Sequence, residues 1–201
     1  PYTWLFERND YLAPRARYMI QKAGLTARVA TKPFRLTENG SAREYTYGTI
    51  MVHSPEGAGA TAEIQKIMSE VAAECGIGIH GASTGLTSSG IDLGSNELVA
   101  LTMPSVLMLI DEGIPSGEAG EIWHLLDVHY KIPVTMMPAS RLASASLSRY
   151  NVIIIAGNPG MTPAAVERVR EWNRAGGTII AYKDGNRWVS ANKFAEIDFI
   201  E

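Results

Sequence analysis

Ser148-Arg149-Tyr150-Asn151-Val152-Ile153-Ile154-Ile155-Ala156-Gly157-Asn158-Pro159-Gly160 is the stretch on which the fold turns. Val152 to Ala156 is an apolar, β-branched run between a polar lead-in and a Gly-Asn-Pro-Gly break. Such a run predicts a strand buried on both faces, as in a parallel sheet. Thr162 then supplies an N-cap and Pro163 a first helical residue. The unit is strand, glycine turn, helix. In enzymes built this way the turn after such a strand carries the nucleophile or cradles a phosphate. Here it holds Gly157, Asn158, Pro159 and Gly160, with no Ser, Cys or His, so these residues define a fold and name no reaction.

Upstream of this unit the chain alternates strand and helix signals. Thr3–Glu7 reads as a strand, and Leu12 to Ala23 as a helix with an apolar stripe of Leu12, Ala16, Met19, Ile20 and Ala23. Ala27–Thr31 is a second strand, Thr37 to Glu44 a polar turn region, and Tyr47–His53 a third strand. A helix from about Thr61 to Cys75 and a strand at Ile77–Ala82 complete the first half. Ser83 to Ser95 is a glycine- and serine-rich connection.

The order then repeats. Ser105–Asp111 is a strand, and Gly117 to Tyr130 a helix with Ala119, Ile122, Trp123 and Leu126 inward. Pro133–Leu142 and Asn151–Ala156 are strands, Pro163 to Ala175 is a helix, and Thr178–Lys183 is a last strand. The tail after Asp184 reads as a short hairpin or edge strand. The expectation is an α/β protein of two pseudo-repeated halves, residues 1–95 and 96–201. Parallel sheet lies between helices on both faces in three layers, flavodoxin-like. Two lobes and one continuous domain are both compatible with this pattern.

Composition sets the bounds. An apolar content of 46% with 19% charged residues suits a globular chain with a real core. A net charge of -3 gives no electrostatic case for nucleic acid as a partner. No apolar run reaches the roughly 18–20 residues of a membrane span. The chain opens Pro1-Tyr2-Thr3, and the expectation is a piece of a longer protein. One cysteine excludes an internal disulfide and a cysteine zinc cluster.

Few residues carry chemistry. Cys75 continues the apolar stripe of its helix and reads as a buried thiol. His53-Ser54-Pro55-Glu56 has His-x-x-Glu spacing, with His80 on a neighbouring strand as a candidate third metal ligand; Pro55 favours an ordinary turn. His124 and His129 are five apart, about 140° around an α-helix, and do not face one metal. Ser83, Ser88, Ser89 and Ser95 read as a linker or a binding loop. Asp111, Glu112 and Asp184 follow apolar strands, and with Asn158 they are candidates for lining a ligand crevice beyond the strand ends. Turn-forming residues need no such purpose.

Two segments, read together, carry a resemblance. Gly90-Ile91-Asp92-Leu93-Gly94-Ser95 leads through Met103-Pro104-Ser105-Val106 to Gly120-Glu121-Ile122-Trp123-His124-Leu125-Leu126-Asp127, and Leu147-Ser148-Arg149-Tyr150-Asn151-Val152-Ile153 follows. This resembles the region downstream of the catalytic domain in large bacterial M14-type zinc carboxypeptidases, a class I glutamine amidotransferase-like domain. The resemblance implies a secreted or periplasmic parent, with zinc and the peptidase domain upstream in the same polypeptide and no cofactor in this chain. It puts the amidotransferase elbow at Gly157-Asn158-Pro159, with no Cys-His-Glu set to carry over. The implied role is a non-catalytic accessory domain that packs on the peptidase or orients its substrate. Small-molecule binding at the strand ends and a zinc hydrolase site at His53 and Glu56 are the alternatives.

Overall fold

The computed structural model describes residues 1–38, 40–54 and 58–200. It divides into two compact units, Pro1–Met103 and Pro104–Glu201. The first contains, in chain order, β1 (Thr3–Phe6), α1 (Ala13–Lys22), β2 (Ala27–Ala30), β3 (Phe34–Glu38), β4 (Ser41–Tyr45), β5 (Ile50–His53), α2 (Ala58–Cys75), β6 (His80–Ala82), β7 (Ser89–Gly90) and β8 (Leu98–Ala100). The unit extends past residue 95 because β8 pairs with β2, Val99 opposite Val29.

The first half departs from the parallel expectation. Its five-stranded sheet runs β6-β1-β5-β2-β8, and every pairing in it is antiparallel. Each βαβ crossover skips one strand: β5 lies between β1 and β2, and β1 between β5 and β6. This is the split βαβ arrangement of ferredoxin-like sheets. One face packs on α1 and α2 through Phe6, Ala16, Ile20, Val52, Ile64 and Met68. The other carries Leu5, Met51 and Ala82, which cluster with Phe34, Leu36 and Tyr45. Those last three belong to a second antiparallel sheet, β4-β3-β7. It takes in most of the stretch read as a polar turn, Thr37 to Glu44, the unassigned residues Phe34 to Leu36 before it, and part of the connection Ser83 to Ser95.

The second unit contains β9 (Val106–Ile110), α3 (Ser116–Trp123), β10 (Val134–Pro138), β11 (Val152–Ile155), α4 (Pro163–Arg174), β12 (Thr178–Ala181) and α5 (Asp184–Ala191). All its strand pairs are parallel, in the order β10-β9-β11-β12. Leu107, Met108, Leu109, Ile153 and Ile155 are fully buried at its centre. The N-cap reads true: Thr162 Oγ1 accepts from the Ala165 N–H at 3.2 Å, with Pro163 opening α4. The tail is a helix rather than a hairpin. Gly185, Trp188 and Val189 recur at helical spacing on its buried side. Since one half is antiparallel and the other parallel, the halves are not structural repeats. Among the described residues no helix is long and apolar enough to cross a membrane.

Candidate functional site at the strand ends of the second unit

The chain leaves β9 for β10 on one side and later returns to place β11 on the other. The β9/β11 boundary is therefore the switch point where an open sheet offers a crevice. Its own loops close that crevice here. Asp111, Glu112 and Gly113 take φ of 58°, 41° and 90°, a left-handed run. The Ile114 N–H closes the turn on the Asp111 carbonyl at 3.0 Å. The Gly113 carbonyl accepts from the Asn158 N–H at 2.9 Å, and the Glu112 carbonyl from the Gly160 N–H at 3.0 Å. A Cβ on Gly113 would stand 2.1 Å from the Asn158 carbonyl oxygen, so this approach requires glycine. The fold thus brings Asp111, Glu112 and Asn158 together, but across a backbone seam, with their side chains exposed. Asp184 does not join them. It opens α5, exposed, with Oδ1 3.8 Å from Arg187 Nε one turn along.

The sharp strand-to-helix turn of this unit follows β12, not β11. Between β11 and α4 the loop has no non-glycine residue at positive φ, and the helix waits until Pro163. After β12 the chain turns within two residues, and Lys183 sits at φ 50°, ψ -118°. An L-residue pays of order 1–3 kcal/mol for such a backbone. The turn is held by the Tyr182 N–H on the Ile155 carbonyl at 3.0 Å and the Gly185 N–H on the Tyr182 carbonyl at 2.9 Å. A Cβ on Gly185 would meet the Ile155 carbonyl oxygen at 2.0 Å. A strained residue followed by one position and then a tightly packed glycine is how a nucleophile elbow is made. Lys183 occupies the strained position. Its ammonium is paired with the Glu118 carboxylate of α3, and that hydrogen bond raises the Lys183 pKa above the ordinary lysine range. An amine held protonated has no lone pair with which to attack.

A pocket of about 340 Å³ opens on the other side of β9, between β9, β10 and α3. Ile110, Ile114, Ala119, Trp123 and Met136 wall it, and Asp111 stands on its lining. Trp123, expected inward, is 36% exposed and Met136 48%. The helical stripe was legible, but not that its last aromatic borders a void.

The metal candidates are not gathered. Glu56 lies outside the described residues. His53 and His80 flank β1 on the same sheet face, opposite Thr3 and Leu5 respectively. Each has its own small pocket and its own arginine. His53 packs edge-on against Tyr2, centroids 4.6 Å apart, in a pocket shared with Arg28. His80 shares a pocket with Arg43; burial first, and then the Arg43 charge, lower its pKa. A guanidinium beside each imidazole opposes a bound cation. Among the described residues no group of three or more His, Cys, Asp or Glu could hold a metal ion. Cys75 is buried in the first unit, 3.8 Å from the Met19 sulfur, and burial pushes its thiol pKa up.

The geometry of one pair differs from expectation. Residues His124–His129 form a π-helical segment, with the Tyr130 N–H bonded five residues back to Leu125 at 3.0 Å. The wider turn brings residues five apart onto one side. The His124 and His129 rings accordingly meet edge to face, centroids 4.7 Å apart. The chain matches no family model, no curated protein and no solved structure.

Proposed function

We propose that this chain is a non-catalytic accessory region of an M14-type zinc carboxypeptidase. Its second unit is a flavodoxin-like domain of the class I glutamine amidotransferase type that orients peptide for, or packs on, the peptidase domain upstream in the same polypeptide. The parent is periplasmic or extracellular, and its zinc lies upstream of Pro1. The observation that carries the non-catalytic reading is what occupies the candidate elbows. Neither the turn after β11 nor the turn after β12 offers a nucleophile beside a base: Gly157-Asn158-Pro159, where the resemblance puts the elbow, follows β11, and the sharper turn after β12 holds a lysine ammonium tied to Glu118. The strand order β10-β9-β11-β12 is the flavodoxin-like 2-1-3-4 when counted along the chain, which supports the fold part of the reading.

Metal analysis of the full-length gene product tests it. About one zinc per chain is expected there, with chelator-sensitive carboxypeptidase activity, and none on residues 1–201 alone. A full-length product without zinc overturns the reading. Zinc retained by residues 1–201 and lost in His53→Ala would instead move the chemistry into this chain.

A further inference from the structure

We propose that the pocket between β9, β10 and α3 binds the side chain of an arginine or lysine of a peptide. The inference deepens the substrate-orienting reading above and rests on it for the word peptide. It relocates the ligand from the switch-point seam, closed by main-chain hydrogen bonds, to the open side of β9. Three observations point to a cation on an aliphatic stem.

The first is shape and lining. At about 340 Å³ the pocket falls within the range of ligand sites, and its walls are the aliphatic groups of Ile110, Ile114, Ala119 and Met136. The second is Trp123. It lines the pocket and is partly exposed, and guanidinium and ammonium groups are favoured beside an indole. The third is charge. The Asp111 carboxylate makes no ion pair among the described residues. Its neighbour Glu112 makes none either, and the nearby cation Lys183 is paired with Glu118 and interacts with Glu121. An apolar guest would leave the Asp111 carboxylate without a partner. An acidic guest would be repelled. A basic side chain lays its stem on the wall and its charge at the carboxylate. The left-handed turn fixes where Asp111 stands, since the Ile114 N–H locks it from behind.

The test is a titration of the 201-residue chain with fluorescently labelled pentapeptides, acetyl-Gly-Gly-X-Gly-Gly-amide. X is Arg, Lys, norleucine or Glu. Arg and Lys are expected to bind, norleucine about fivefold more weakly or worse, and Glu undetectably; the Arg affinity falls as salt rises. Asp111→Asn is the chosen variant because asparagine tolerates left-handed backbone. It should melt at the wild-type temperature and bind the Arg peptide about fivefold more weakly. Trp123→Leu should weaken Arg more than norleucine. Equal binding of Arg and norleucine, no binding of either basic peptide, or an Arg affinity untouched in a folded Asp111→Asn protein overturns the proposal. Basic-peptide binding by a chain whose full-length product lacks zinc would keep the pocket and sink the peptidase reading; zinc without basic-peptide binding would do the reverse.

Discussion

In both units four strands of the main sheet come from strand, helix, strand, strand, helix, strand in chain order, with the first and third side by side; β8 adds a fifth at the edge of the first unit's sheet. In the first unit these are β1 and β5, antiparallel, with β6 and β2 outside them. In the second they are β9 and β11, parallel, with β10 and β12 outside. The second and fourth strands have exchanged flanks. The link between the second and third strands marks the difference. From β2 the chain enters β5 as its antiparallel neighbour, after contributing the paired strands β3 and β4 to the second sheet. From β10 it travels back through two short 3₁₀ segments, Ala139–Ser144 and Leu147–Arg149, before β11 sets out in the direction of β9. Alternating strand and helix signals therefore do not decide direction; the second link does. The centre strands of both sheets are buried on both faces, but for different reasons. In the second unit they are the inner strands of a parallel sheet. In the first, helices cover one face and the β4-β3-β7 sheet covers the other. Two-face burial means two covers, and parallel pairing is only one way to have them.

The largest expected effect tests the parallel core. Ile153 is fully buried in β11, beside both β9 and β12. Ile153→Asp places an unpaired charge there, at a cost of the order of 5 kcal/mol, comparable with the whole stability of a domain. Hydrogen exchange should lose its protection across residues 104–201. A variant with protected β9 and β12 amides would show that the core has been misplaced. The next effect tests the second cover of the first unit. Phe34 is 3% exposed and stacks on Tyr45 with centroids 4.9 Å apart. Phe34→Ala should cost about 3–5 kcal/mol in urea unfolding. If the stretch were merely a surface turn, the loss would be within about 0.5 kcal/mol, and the contrast between the two units would collapse.

What the sequence made legible follows from how each residue advertises its burial. Val152 to Ile155 declares itself because every side chain is apolar, and Thr162-Pro163 because capping chemistry is local. Phe34, Leu36 and Tyr45 alternate with Arg35, Thr37 and Glu44, a period-two signal, but the polar half dominates the eye. β7 and β8 are two and three residues long, and their pairing with β3 and β2 is a long-range fact that no local pattern encodes. In α5, Trp188-Val189 imitates a strand, while Gly185 ahead of it carries no apolar side chain to reveal the helical spacing. The site was legible in part. Acids at strand ends read as crevice candidates, and of these Asp111 lines a pocket beside β9 while Asp184 opens α5. That Asp111 to Gly113 would zip to Asn158 and Gly160 depends on main-chain groups common to every sequence. Nothing in His-x-x-x-x-His signals a π-helical turn. Lys183 at a strained backbone is invisible for a similar reason: lysine has no preference for φ above zero.

A smaller effect addresses the close backbone packing at the turn after β12. Gly185→Ala forces a methyl group toward the Ile155 carbonyl and should cost about 1–3 kcal/mol, read as a lowered melting temperature. Gly117 in α3 is the control, because a Cβ there meets nothing within 4 Å. Gly117→Ala should stabilise by about 0.5 kcal/mol through the unfolded chain. If both variants behaved alike, close backbone approach would not be what holds the turn at Lys183.

The smallest effect belongs to the first unit and has a sign that can be worked out. Burial and the nearby Arg43 charge hold the folded-state pKa of His80 below its ordinary value of 6.5. Above that value neither the folded nor the unfolded chain protonates the ring, and His80 has no effect on stability. As pH falls below 6.5 the unfolded chain takes up the proton first, so this residue contributes a loss of stability that levels off below the folded pKa. His80→Gln should flatten that part of the unfolding profile between pH 6.5 and the folded pKa. Arg43→Gln should flatten it less, since burial is the larger cause and remains. The order of these two slopes is the informative result. If Arg43→Gln abolished the pH dependence entirely, charge rather than burial would govern the imidazole. The second sheet of the first unit would then act on His80 through its arginine more than through the cover it provides.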